Sequence, residues 1–133
     1  MDLAEEAIKD MQKRYPYAFF QTGDVYETKF PPNYFEYAVA GEVLEHLEKP
    51  EEFVHEAMRI VRPGGILALS TPLEEAREPG AVDHERHLWS FSKEDIQSLL
   101  LPYGSVRMET LGSEFFPTYR YHWPSLLTFC KKK

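Results

Sequence analysis

One cysteine stands in a chain of 133 residues. Cys130 therefore has no partner for an internal disulfide, which excludes a disulfide-stapled secreted scaffold and suits a reducing compartment. Long apolar runs are missing as well. Nothing approaches the roughly 20 residues of a membrane span, and no charged-then-apolar leader opens the sequence. A cytoplasmic protein without membrane contact is the expectation. Positive charge is also short: fifteen basic against twenty-two acidic residues leave a net charge of −7. Such a surface repels phosphate backbones, so nucleic acid is excluded as a general partner. Three of the few cations are the terminal Lys131, Lys132 and Lys133, expected as a solvated tail. Repeats and low-complexity tracts are absent too, and the length fits a single domain, 1–133, able to bury its own core.

What is present centres on Tyr34–Pro72. Tyr34–Ala40 and Ile66–Thr71 are short, apolar and rich in β-branched or aromatic residues, as strands are. Between them Phe53, Ala57, Ile60 and Val61, with Val54 and Met58, repeat at helical spacing over Glu51–Val61. Pro50 suits a first helical position, and Glu51 and Glu52 lie where the helix dipole favours negative charge. Pro63 with Gly64-Gly65 predicts a turn into the second strand. Two strands joined by one helix form a βαβ unit, with parallel strands.

Upstream, Leu3–Arg14 places Leu3, Ala7, Ile8 and Met11 on one helical face, with Glu5 and Lys9 paired outside it. Asp2 and Glu5 have the spacing of a capping box. Tyr17–Gln21 reads as a short aromatic strand ending at Thr22-Gly23-Asp24, followed by a proline-containing loop to Asn33. Downstream, a polar loop after Pro72 is longer than a simple connector needs. It ends at Ser92, whose spacing to Asp95 predicts a capping box, with Phe91 and Ile96 as the hydrophobic staple. Ile96, Leu99 and Leu100 form a buried stripe that Pro102 and Gly104 terminate. Ser105–Leu111 and Ser125–Cys130 read as strands pairing antiparallel, with the aromatic Tyr119, Tyr121, His122 and Trp123 between them. The sum is an α/β sheet with an antiparallel edge. Ligands in such sheets bind beyond the carboxyl ends of the strands, here at Asp24, Ala40-Gly41-Glu42 and Thr71-Pro72.

Gly23-Asp24, FEYAVAGEVLEHL (Phe35–Leu47) and EAMRIVRPGGILALSTP (Glu56–Pro72) together resemble the class I S-adenosylmethionine-dependent methyltransferases. The nearest subset is the type-11 group that acts mostly on small molecules. The wording E-V-L-E-H-L followed by E-x-x-R-x-x-x-P-G-G is far more specific than a glycine loop, and the similarity extends over nearly the whole chain. It implies a Rossmann-like sheet with an antiparallel C-terminal strand, truncated on its N-terminal side. The family's first strand, glycine-rich G-x-G-x-G turn, first helix and second strand have no counterpart in these residues. The strand that begins the Tyr34–Pro72 unit would then have an open edge, which either Tyr17–Gln21 or a second copy of the chain, making a homodimer, is expected to cover.

The resemblance also suggests roles. Asp24 matches the acid that accepts from the adenine amino group, with Val25 beside the ring; as a bare residue Asp24 equally suits a turn bonding its own backbone. Asp2 matches the acid on the cofactor's ribose hydroxyls, although a helix cap explains it too. Ala40, Gly41 and Glu42 match the turn around the sulfonium end, or form a plain strand-to-helix turn. Glu42 and His46, at i,i+4, would share a helical face; His46 could contact substrate or act as a base, or it holds the turn through a hydrogen bond. Trp89 could close over substrate from the long loop. Asp83, His84 and His87 have metal-ligating types but no second cluster, so no metal site is expected there. Methyl transfer needs alignment more than side-chain chemistry, so no catalytic residue is assigned. Two functional readings stand: a methyltransferase using S-adenosylmethionine on a small molecule, or a non-catalytic methyltransferase-like interaction module.

Overall fold

The computed structural model describes residues 1–73, 87–111 and 124–133. The expectations placed on Asp83, His84, Tyr119, Tyr121, His122 and Trp123 lie outside these residues. In chain order the elements are α1 (Glu5–Arg14), β1 (Phe35–Gly41), a one-turn 3₁₀ helix (Leu44–His46), α2 (Pro50–Ile60), β2 (Val61–Pro72), α3 (Lys93–Leu100), β3 (Gly104–Leu111) and β4 (Ser125–Lys132). The sheet order is β1-β2-β4-β3. β1 and β2 run parallel, as expected of strands joined through a helix, and β4 pairs antiparallel with both β2 and β3.

The core lies on one face of this sheet. Leu67 and Leu69 of β2 and Leu126 and Cys130 of β4 point to the same side, where Phe53, Val54, Ala57 and Met58 of α2 and Ile96 and Leu100 of α3 meet them. Strand alternation and helical periodicity thus converge on one apolar layer, each fully buried side chain contributing about 1.5–3 kcal/mol. Alternation also sends Tyr37 and Val39 of β1 to the opposite face, where they are 63% and 81% exposed. Ser92 caps α3 as expected: its Oγ accepts from the Asp95 N–H (3.1 Å) while Asp95 Oδ2 accepts from the Ser92 N–H (2.9 Å). Phe91 and Ile96 are both buried in the same cluster.

Four expectations are corrected. Pro63-Gly64-Gly65 is not a turn ahead of the strand but an excursion within β2. Phe35 opposes Val61 and Tyr37 already opposes Ile66, so Arg62–Gly65 bulge out between these two pairings. Gly64 takes φ +78°, and a Cβ on Gly65 would come within 2.6 Å of the Glu36 carbonyl oxygen, so both glycines are required. Tyr17–Gln21 is not a strand and does not dock on β1. The Gln12 side chain occupies its backbone instead, donating to the Ala18 carbonyl (3.1 Å) and accepting from the Phe20 N–H (3.4 Å). Among the described residues β1 pairs only with β2. The third correction is at Asp2, which makes no capping box with Glu5. Ala4 is the N-cap, without a side-chain bond, and Asp2 Oδ1 accepts from the Ala4 N–H at 2.9 Å. The Glu5–Lys9 pair does form, but no residue of α1 is buried.

The fourth concerns the terminal lysines. Lys132 is not a solvated tail residue. Its ammonium donates to the Met58 and Val61 carbonyls (2.6 and 2.7 Å) and to Asn33 Oδ1 (3.0 Å), closing the C-terminal end of α2. A cation there satisfies orphan carbonyls and complements the helix dipole.

The loop between Asp24 and β1 is held to α2 by one buried carboxylate. Glu56 Oε1 accepts from the Thr28 N–H (2.8 Å) and hydroxyl (2.6 Å), and Glu56 Oε2 accepts from Arg59 Nε (2.6 Å). Arg59 reaches on to the Phe30 carbonyl (2.7 Å). The bonds from Arg59, then those from Thr28, outweigh burial and pull the Glu56 carboxyl down to about 2 from its ordinary 4.5. Because the folded value is depressed, the stabilisation is complete above the ordinary carboxylate range and is lost as pH falls toward 2. Glu56→Gln is expected to cost about 2–3 kcal/mol at pH 7, measured by urea denaturation. The gap to wild type should close below pH 3; a gap independent of pH would contradict the charged clamp.

Candidate functional site

The carboxyl ends of β1 and β2 meet a short helix and a returning segment. At the end of β1, Glu42 turns into the left-handed region, φ +52°. Its N–H donates to the Ser70 carbonyl (3.0 Å), and the Ser70 hydroxyl donates to Glu42 Oε1 (2.8 Å). A non-glycine residue held at positive φ by bonds on both its backbone and its side chain marks a fixed, strained turn. This breaks the expected helical face: Glu42 stands outside the 3₁₀ turn and is not stacked with His46 as an i,i+4 pair. Ala40 packs against the core, and a Cβ on Gly41 would lie 3.4 Å from Ser70 Oγ.

The 3₁₀ turn delivers Glu45 inward and His46 outward. Glu45 is 1% exposed; its Oε2 accepts from the Thr71 hydroxyl at the end of β2 (3.3 Å), while its Oε1 is buried without a hydrogen bond. Burial raises the Glu45 carboxyl above its ordinary value, and nearby Glu42 adds to this against the opposing pull of its own backbone bond, His46 and His87. His46 Nε2 lies 3.9 Å from Glu45 Oε1. The segment after the long loop then closes over this turn. The Leu88 and Trp89 N–H groups donate to the Glu45 carbonyl (2.8 and 3.2 Å), Trp89 Nε1 donates to the Leu47 carbonyl (2.7 Å), and Leu73 bridges Phe91. The His87 ring meets that of His46 edge-on, centroids 4.8 Å apart. Trp89 stacks with Phe91 (6.2 Å) at the rim of a cavity of about 690 Å³ lined also by Pro50, Glu51, Asp95 and Tyr103.

Asp2 and Asp24 lie elsewhere, on two segments that Asp2 joins through its backbone. Asp2 bridges Thr22 in parallel: its N–H donates to the Gln21 carbonyl (3.3 Å), and its carbonyl accepts from the Gly23 N–H (3.0 Å). Asp24 Oδ1 accepts from the Tyr26 N–H (2.9 Å), the turn bond expected of an aspartate there. Val25 packs against the core. A hollow of about 380 Å³ opens beside Asp24, lined by Gln21–Asp24 and by Glu27–Phe30.

The methyltransferase-domain family model matches residues 1–69. The chain belongs to that family. A probable S-adenosylmethionine-dependent methyltransferase of Mycolicibacterium smegmatis is 29% identical over 114 residues, covering 84% of this chain and 44% of its own length. One of Mycobacterium tuberculosis is 28% identical over 122 residues, 90% of this chain and again 44% of its own. The chain thus spans less than half of the curated relatives it matches. Among solved structures, the PH0226 protein of Pyrococcus horikoshii superposes with a TM-score of 0.76 at 17% identity, over 98% of this chain and 69% of that one. At such identity the likeness shows the fold: a Rossmann-like methyltransferase sheet. Family and relatives identify S-adenosylmethionine as the cofactor. Among the described residues no helix is long and apolar enough to cross a membrane.

Sequence reasoning did not find two of these features. Glu45 lay inside the recognised wording, but only the fold shows that it is buried. The Glu56 clamp had a legible signal, an acid and an arginine three apart in a helix, without any sign of Thr28 as partner. Glu45→Gln tests the buried carboxylate. A folded value raised by burial means that wild type loses stability relative to the amide as pH rises through that value. Thermal melts in EDTA-containing buffer should show Glu45→Gln the more stable at pH 7, with the difference gone near pH 4; equal melts at both would contradict it.

Proposed function

We propose that this chain is a domain of an S-adenosylmethionine-dependent methyltransferase that acts on a small molecule. The observation that carries the reading is the parallel bridge between Asp2 and Thr22, which ties the Asp2 backbone to the segment ending at Asp24. In this reading Asp24 accepts from the adenine amino group with Val25 against the ring, and Asp2 accepts from the ribose hydroxyls. Ala40, Gly41 and Glu42 then lie toward the sulfonium end. The bound cofactor supplies an electrophilic methyl group. What the chain supplies is position: a rigid turn at Glu42, fixed by Ser70, and an acceptor side carrying His46 and Trp89. Alignment of an acceptor with the methyl group is the principal contribution such a site makes.

The acidic surface and the buried thiol of Cys130 support a reducing, cytoplasmic setting and weigh against nucleic acid as a partner. The edge of β1 left unpaired among the described residues, with Val39 exposed beside it, supports pairing with a second copy.

The test is calorimetric titration of the 133-residue chain with S-adenosylmethionine and with S-adenosylhomocysteine. The expected result is binding in the micromolar range. Asp24→Ala should weaken it about tenfold or more, equivalent to about 1.4 kcal/mol or more. Asp24→Asn preserves the turn bond to Tyr26 and should weaken binding less. The absence of binding heat at millimolar ligand would overturn the reading for this chain, in favour of an interaction module.

A further inference from the structure

The 3₁₀ turn and the segment that returns over it bring together three groups of metal-ligating type. One ligand atom each from Glu45, His46 and His87 lies within 4.8 Å of the other two. Donors on one zinc-class ion, at about 2.0–2.2 Å from it, stand roughly 3.3 Å apart. The Glu45–His46 separation of 3.9 Å is already near that value. Closing the set requires a movement of the order of 1 Å, within reach of a small ring rotation.

The second observation is independent of this spacing. Glu45 is 1% exposed, its Oε1 has no hydrogen-bond partner, and that oxygen is the one directed at His46. A buried carboxylate oxygen without a donor is costly, and the usual remedies are a donor, a proton or a cation. The remaining oxygen is held by the Thr71 hydroxyl, which orients the carboxylate as hydrogen-bond partners behind metal ligands do. His87 is positioned by the backbone beside it, since the Leu88 N–H donates to the Glu45 carbonyl at 2.8 Å.

We propose that Glu45, His46 and His87 form a binding site for a divalent transition-metal ion of the zinc class. Two imidazoles and one carboxylate are a ligand set that zinc and ferrous ions accept, with at least one coordination position left over. The site stands at the carboxyl ends of β1 and β2, the end of an α/β sheet where ligands gather. An ion there ties the segment bearing Trp89 to the turn after β1. On the methyltransferase reading, the open position takes an oxygen or nitrogen of the acceptor; the metal site itself does not rest on that reading. The site is distinct from the Asp83–His84–His87 grouping of the sequence, from which it shares only His87.

Metal-stripped protein titrated with Zn²⁺ and with Co²⁺, without cofactor, tests the proposal. The expected result is one equivalent bound with low-micromolar or tighter Kd, and a visible Co²⁺ spectrum of low coordination number. His87→Ala and Glu45→Gln should each weaken Zn²⁺ at least tenfold, whereas His55→Ala, on the exposed side of α2, should leave it unchanged. His87 lies outside every helix and strand, so His87→Ala retains the wild-type metal-free melting temperature and loses only the Zn²⁺-induced increase. No stoichiometric binding, or Zn²⁺ affinity unaltered in His87→Ala and Glu45→Gln, overturns the site. Because S-adenosylhomocysteine binding is measured separately, loss of either result leaves the other standing.

Discussion

A carboxylate in the interior of a small domain must be matched by donors, and at Glu56 that requirement organises half the molecule. Its oxygens take the backbone and hydroxyl of Thr28 and the guanidinium of Arg59, which in turn holds Phe30. The Arg59 carbonyl accepts from the Asn33 N–H (2.9 Å), and Asn33 receives Lys132 from the far end of the chain. One network therefore joins the loop after Asp24, helix α2 and the last strand. Removing Arg59 or the Thr28 hydroxyl leaves the buried Glu56 carboxylate short of a donor, which costs more than the net value of one hydrogen bond.

A second buried carboxylate does the opposite. Among the described residues, Glu45 has the Thr71 hydroxyl on one oxygen and no hydrogen bond on the other. Glu56 is satisfied, and its acidity is enhanced; Glu45 is under-satisfied, and burial weakens its acidity. Glu56 thus holds the fold through its partners, whereas Glu45 is held at one oxygen by the end of β2. The positive φ of Glu42 and the histidine pair lie beside Glu45; Lys29 and Asn33, in the loop that Glu56 and Arg59 hold, are also at positive φ.

Much of the fold was legible. The apolar periodicity of Phe53 to Ile60, the Ser92–Asp95 box and the alternation of the last two strands all act through near neighbours, and each formed where local rules put it. Tyr17–Gln21 failed because strand propensity needs a partner edge, and the Gln12 side chain holds its backbone instead. Pro63-Gly64-Gly65 failed as a turn because a bulge uses the same residues as a turn. Which one forms depends on register against β1.

The sequence by itself determined the family, the βαβ unit and the residue types available at the strand ends, since these follow from spacing and wording along the chain. Only the tertiary structure decided which of them meet. Asp2 reaches Thr22 through a single bridge, Lys132 caps a helix far from it in sequence, and His87 arrives beside Glu45 and His46. Each of these contacts depends on long-range closure and burial, and neither propensity nor periodicity carries information about groups so far apart in the chain.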